Sequence, residues 1–170
     1  MTDSFSTADS RLRLRFAEAA DLGLIVQLIR ELAAYERLAN QVVAGEQELR
    51  DSLFGSRPSA QVLIAQYDGQ PAGFAVFFHN FSTFLGKPGL YLEDLFVRPA
   101  YQGKGIGKTL LAFLARIAEE RGCGRLEWSV LNWNEAAIRL YQSVGGKPLD
   151  EWTVYRVTGA ELKSLARSVW

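Results

Sequence analysis

The sequence predicts an α/β (α+β) domain built on a mixed, mostly antiparallel sheet of six to seven strands, with helices on both faces. Three observations carry this. Six stretches show strand patterning and five show helical spacing, in the order β-α-α-β-β-β-α-β-α-β-α. Three consecutive strands are joined by short loops, which favours antiparallel neighbours. A later strand–helix–strand step favours a parallel pair.

Arg11–Phe16 alternates Arg-Leu-Arg-Leu-Arg-Phe, the pattern of a strand with one buried face. Asp21 is placed to cap a helix carrying Leu22, Ile25, Leu28, Ile29 and Leu32, which should run to about Leu38. Glu46–Phe54 predicts a short second helix, stopped by Gly55. Val62–Gln66 and Gly73–His79 flank the turn Asp68-Gly69-Gln70-Pro71, a hairpin signal. Leu90–Val97 is the next strand. A glycine-rich segment follows, then a helix to about Arg121 with Ile106, Leu110, Leu114 and Ile117 on its buried stripe. Leu126–Leu131 predicts a strand, Glu135–Val144 a helix capped by Gly145-Gly146, Trp152–Val157 a strand and Gly159–Arg167 a closing helix.

At 170 residues, one domain is expected over residues 11–170, behind a polar, flexible segment at 1–10 that lacks an apolar signal core. The 48% hydrophobic content supports a packed core. Lys plus Arg (19) balances Asp plus Glu (19), so no basic excess points to nucleic acid or an anionic membrane. No apolar run is long enough to span a bilayer. The single cysteine, Cys123, excludes an internal disulfide and a multi-cysteine zinc site, and suits a reducing, cytoplasmic setting.

Gln102-Gly103-Lys104-Gly105-Ile106-Gly107-Lys108 joins a strand to an amphipathic helix. Glycines turn backbone N–H groups toward a ligand, and a helix start adds unpaired donors and partial positive charge. The result is an anion site suited to a diphosphate, with Lys104 and Lys108 adding charge. Two nucleotide motifs share this physics, and spacing weakens both. A P-loop ending in Gly107-Lys108-Thr109 needs glycine at 102, which is Gln; a dinucleotide fingerprint starting at Gly103 needs glycine at 108, which is Lys.

Val97-Arg98-Pro99 followed by Gln102-Gly103-Lys104-Gly105-Ile106-Gly107 resembles the coenzyme A loop of the GCN5-related N-acetyltransferases (GNAT). Asn134-Glu135-Ala136-Ala137 with Tyr141 and then Gly145 is similar to that family's second signature. Tyr91-Leu92-Glu93-Asp94-Leu95-Phe96-Val97, Ala34-Tyr35-Glu36-Arg37-Leu38 with Gln41-Val42, and Trp133-Asn134 resemble its diamine and thialysine acetyltransferase branch. The resemblance spans roughly residues 11–165. It implies acetyl-CoA as cofactor, held by Leu95, Phe96, Val97, Gln102 to Lys108, Asn134, Ala137 and Tyr141. A backbone bulge near Leu95–Val97 should offer N–H donors to the acetyl carbonyl. It further implies an acceptor site at Tyr35 and Glu36, and a homodimer with acceptor sites near the interface.

The implied reaction is attack of a neutral primary amine on a thioester. With an ordinary pKa near 10.4, the amine must lose a proton at a cost of roughly 4–5 kcal/mol at pH 7. Glu93 is the candidate base, acting through water and also holding the cationic acceptor. Strand alternation puts it among buried strand residues, on one face with Tyr91, Leu95 and Val97 unless a bulge intervenes, and puts Asp94, the competing acid, on the other, where a structural hydrogen bond is expected of it. Tyr141 is the candidate general acid at the leaving sulfur. Trp128 is a further acceptor-site candidate. Phe81 and Phe84 are read as channel wall, core or dimer contact. His79 is read as structural. The acceptor is expected to be a small-molecule amine, either a diamine or polyamine or a thialysine-like amino acid, although Ala39 and Asn40 stand where polyamine enzymes carry further acids. Two other readings are a non-catalytic acetyl-CoA sensor and a nucleotide-binding protein using Gly107-Lys108-Thr109.

Overall fold

The computed structural model describes residues 4–168. Six strands form one sheet in chain order: β1 (Ser4–Ser6), β2 (Leu12–Phe16), β3 (Gln61–Tyr67), β4 (Gln70–Ser82), β5 (Lys87–Val97) and β6 (Leu126–Trp128). The first five pair antiparallel, and β5–β6 pair parallel around the intervening helix. That helix is α3 (Ile106–Glu120); the others are α1 (Leu22–Tyr35), α2 (Glu46–Phe54), α4 (Glu135–Ser143) and α5 (Gly159–Arg167).

The sheet separates two apolar cores. Leu12, Leu14, Leu63, Phe77, Leu90 and Leu92 face α3, whose expected stripe Ile106, Leu110, Leu114 and Ile117 is buried against them. Val62, Ile64, Phe74, Val76 and Phe96 face Ile25, Leu28 and Leu32 of α1 and Leu53 of α2. Period-two alternation sends each strand's odd and even residues to different cores.

The β3–β4 hairpin is tighter than the sequence suggested. Asp68 and Gly69 alone form the turn, at φ 50° and 75°, the two positive values a two-residue primed turn requires. Pro71 therefore lies inside β4, next to a register shift where a missing N–H is tolerated. At the other end of the chain, residues 4–6 were expected to be flexible; instead they add the edge strand β1, where Phe5 stacks on Phe113 with ring centroids 4.7 Å apart.

Asp21 does not cap α1 with its side chain. It forms a two-pronged ion pair with Arg15, both contacts 2.7 Å, and accepts from the Glu18 N–H. Arg15 holds the Asp21 carboxyl below the usual carboxylate range. That stabilisation is present above the ordinary carboxylate pKa and fades as pH falls through the lowered one. Asp21→Asn should cost about 1–2 kcal/mol at neutral pH, with the difference disappearing on acidification, as urea titrations at several pH values would read.

The expected strand at Trp152–Val157 is absent. Its alternation suits a strand, but a strand exists only by pairing, and no strand of the described chain takes it up. Trp152 is 70% exposed and Tyr155 90%, and Leu162 and Leu165 of α5 are also exposed. The strand expected at Leu126–Leu131 likewise stops at Trp128, which leaves the far half of β5 unpaired on that side. No helix among the described residues is long and apolar enough to cross a membrane.

Candidate acetyl-transfer site

The site lies where β5 loses its neighbour. Beyond Leu92, β5 pairs only with β4, so alternate N–H groups of Glu93–Val97 face an open edge. The register also jumps there: Phe77 pairs with Leu92, yet Val76 pairs with Asp94. Glu93 is the extra residue of a bulge. The expected bulge therefore exists, but two residues before Leu95.

This bulge re-aims the side chains. Leu92 packs in the α3-side core, and so do Leu95 and Val97, three and five residues on. Phe96 and Val76 lie in the α1-side core, and Asp94 alternates with Phe96. Glu93 is exposed, contrary to the buried position expected of it; Asp94 is the partly buried carboxylate. No side-chain hydrogen bond holds Asp94 among the described residues, where a structural one was expected. Burial pushes its carboxyl up to about 6, with the charges of Glu93 and Glu36 adding to the effect. Burial also raises Glu36, at the end of α1. Three acids are thus gathered without a cationic partner among the described residues, an arrangement that invites a cation.

Tyr141 projects from α4 with its ring 5.0 Å from Trp128. Burial, with Glu36 and Tyr35 contributing, pushes its hydroxyl up to about 12, so it is protonated throughout the neutral range. Trp128 packs beside Tyr141 on the α3 side of the sheet, opposite Leu92 of β5. Tyr35 stands between Phe96 and Trp133, with ring centroids 6.2 and 6.0 Å away. Its hydroxyl lies 3.4 Å from Asn134 Oδ1. The same oxygen caps α4 by accepting from the Ala137 N–H, which removes that N–H from cofactor binding and leaves the Asn134 amide N–H groups free to donate.

Gly103 and Gly105 take φ of 75° and 77°, and Gly105 is the N-cap of α3. Thr109 is the first residue of the helix whose N–H finds a backbone partner, Gly105 O at 3.0 Å. The N–H groups of residues 103–108 have none among the described residues. Six successive free donors at a helix start fit a pyrophosphate. Gln102 fastens the loop by donating to Val97 O at 3.1 Å. Thr109 Oγ1 donates to Gly105 O, so this hydroxyl is occupied rather than offered to a nucleotide's metal. Lys104 rests over the Tyr67 ring at 5.2 Å.

Phe81 and Phe84 are 62% and 95% exposed, at the tip of the β4–β5 hairpin. Phe81 pairs with Pro88, about 16 Å along β5 from Glu93 at 3.3 Å per residue, so these rings neither fill the core nor wall the site. His79 lies within β4, its imidazole lowered by burial and by Arg121. Residues 26–145 match the family model of the acetyltransferase (GNAT) family. The chain belongs to that family and is an acetyl-CoA-dependent N-acyltransferase. It is 37% identical over 164 residues to thialysine N-epsilon-acetyltransferase of Bos taurus, covering 90% of this chain and 96% of the relative. It is 32% identical to L-ornithine N5-acetyltransferase of Arabidopsis thaliana, over 90% and 87% of the two chains. An integron cassette protein from the mobile metagenome of V. cholerae superposes with a TM-score of 0.77 at 31% identity, covering 93% of this chain and 99% of its own.

Asp94 occupies the face opposite Leu95 and Val97, as alternation predicts; the bulge that leaves Glu93 exposed gives no composition signal.

Proposed function

We propose that the protein transfers acetyl directly from acetyl-CoA to a primary amine of a small molecule, either a thialysine- or ornithine-like amino acid or a diamine. The observation that carries this is the meeting of Glu36, Glu93 and Asp94 with Tyr141 at the open edge of β5. The relatives act on amino acids with a side-chain amine, as their names state.

Acetyl-CoA would supply an activated acyl group and a stable leaving thiolate. The 103–108 loop would hold its diphosphate, the Asn134 amide its arm, and the open N–H groups of Glu93–Val97 the carbonyl oxygen. The N–C bond forms as the C–S bond breaks. One ammonium proton leaves before attack, and a second must reach the sulfur or solvent. An amine near 10.4 giving its proton to Asp94 near 6 faces a gap of about 4.4 units, or roughly 6 kcal/mol; an ordinary carboxylate near 3.9 would make it roughly 9. Glu93 and Asp94 therefore share the base role, Glu93 through water at the exposed bulge. Tyr141 near 12 cannot readily surrender its proton to a thiolate whose acid is near 8.5, a gap worth roughly 5 kcal/mol. It acts chiefly by donating a hydrogen bond to the departing sulfur.

The test is an acceptor panel of thialysine, ornithine, lysine, putrescine, spermidine and an aminoglycoside, with products identified by mass spectrometry. Acetylation of an amino-acid side chain or a diamine supports the reading. Turnover of none of them contradicts it.

A homodimer belongs to the same proposal. The unpaired apolar arm from Trp152 to Leu165 and the exposed tip at Phe81, Phe84 and Leu85 support it, because such surface is costly in water. Light scattering should give twice the chain mass, and truncation after residue 147 should reduce it to one. A full-length monomer would contradict this. The lone cysteine suits a cytoplasmic location.

A further inference from the structure

Three helices end in the same hydrogen-bonded turn, and one of them breaks its residue preference. In α3, Gly122 N–H donates to Glu119 O and Cys123 N–H to Ala118 O; in α4, Gly145 donates to Gln142 O and Gly146 to Tyr141 O. The residue that turns left-handed is glycine in both, at φ 69° and 88°. In α1 the same pair is Arg37 N–H to Ala34 O at 3.2 Å and Leu38 N–H to Ala33 O at 2.8 Å. Here the left-handed residue is Arg37, at φ 62°. Glycine occupies this position without steric cost, whereas a Cβ there is strained. An arginine kept in that conformation has a use for its side chain.

Its surroundings show what that use is. Arg37 adjoins Glu36 in the chain but makes no ion pair among the described residues. Its guanidinium is held over the Trp133 ring, 5.4 Å from the centroid. Trp133 packs on Tyr35, and Tyr35 on Phe96, the strand neighbour of Asp94 on the same face. A row of aromatic rings thus connects a free, planar cation at the rim to the three acids that lack a cationic partner among the described residues. The two ends are matched to opposite charges: ammonium inside, carboxylate at the rim. Guanidinium presents paired N–H donors to a carboxylate, and the ring beneath restricts its orientation.

We infer that Arg37 binds the α-carboxylate of an amino-acid acceptor and so selects amino-acid side-chain amines over diamines. This rests on the amine-acetylating reading above and deepens it. Without Arg37 a substrate carboxylate would meet Glu36, Glu93 and Asp94 unopposed. A diamine has no such need, and Arg37 only repels its second ammonium.

Two matched pairs test this, because each differs only by the carboxylate: ornithine with putrescine, and lysine with cadaverine. Steady-state kinetics on wild-type protein and on Arg37→Gly, Arg37→Gln and Arg37→Lys would be compared. The glycine variant suits the left-handed turn, so it keeps the fold. Arg37→Gly and Arg37→Gln should lose about 10- to 100-fold in kcat/KM for the amino acids, mainly through KM. The diamines should be unchanged or improved, and the KM for acetyl-CoA unchanged. Arg37→Lys should restore part of the preference. Equal losses for both members of a pair, a raised acetyl-CoA KM, or a wild-type enzyme indifferent to the carboxylate would each overturn the inference while leaving amine acetylation standing. Turnover of neither member by wild-type protein would overturn both.

Discussion

Tyr141→Phe is expected to lower kcat by about 10²-fold while leaving KM for the amine and for acetyl-CoA within a few-fold. The variant removes one hydroxyl and keeps the ring that packs on Trp128 at 5.0 Å, so the fold and the binding surfaces survive. A hydrogen bond to a developing thiolate strengthens only as the C–S bond breaks, so its loss falls on the chemical step. The wild-type rate should show no decline from Tyr141 ionisation until pH approaches about 12. Steady-state kinetics with both substrates varied would check this. An unchanged kcat removes Tyr141 from the chemistry.

Asp94→Asn should separate stability from activity in opposite directions. In the folded chain the Asp94 carboxyl titrates near 6, whereas in the unfolded chain it titrates in the ordinary range near 3.9. Between these values the folded state keeps a proton that the unfolded state has released. Stability therefore falls as pH rises through that window, and the penalty is complete above it. A neutral asparagine avoids it. The variant should gain about 1–3 kcal/mol at pH 7 to 8 and nothing at about pH 4, measured by urea unfolding. Its kcat/KM for the amine should fall by about 10²-fold, because the raised carboxylate no longer accepts the proton. A variant with equal stability change at both pH values, or with wild-type activity, would show that Asp94 is not the strained carboxylate described. Glu93→Gln, by contrast, touches an exposed side chain and should affect activity with little change in stability.

Much of the fold was legible because its signals are local. The helix at Glu46–Phe54 and the buried stripe of α3 follow from apolar spacing and glycine stops, and both stand as expected. Asp68-Gly69 marked the hairpin because a two-residue turn demands positive φ. What was not legible depends on pairing. Ser4–Ser6 carries almost no strand signal, yet it completes the sheet edge because Leu12–Phe16 offers it a partner. Trp152–Val157 carries a strong signal and has no partner, so it is not a strand. Within the site, the glycine loop was readable from spacing as an anion cradle, whereas Tyr141 stood out only through the motif around it. The exchange of burial between Glu93 and Asp94 was not readable, because it comes from one extra residue opposite the Val76–Phe77 step.

The proposed function requires direct transfer within this site, with no acyl group resting on the protein. Mixing enzyme with excess acetyl-CoA in a stopped-flow instrument, with a thiol reagent present and an amine added later, distinguishes the two routes. Direct transfer gives no thiol release before the amine arrives, and continuous release afterwards matched by acetylated amine. A burst of thiol equal to the enzyme before any amine is added, or no release after it, would rule direct transfer out.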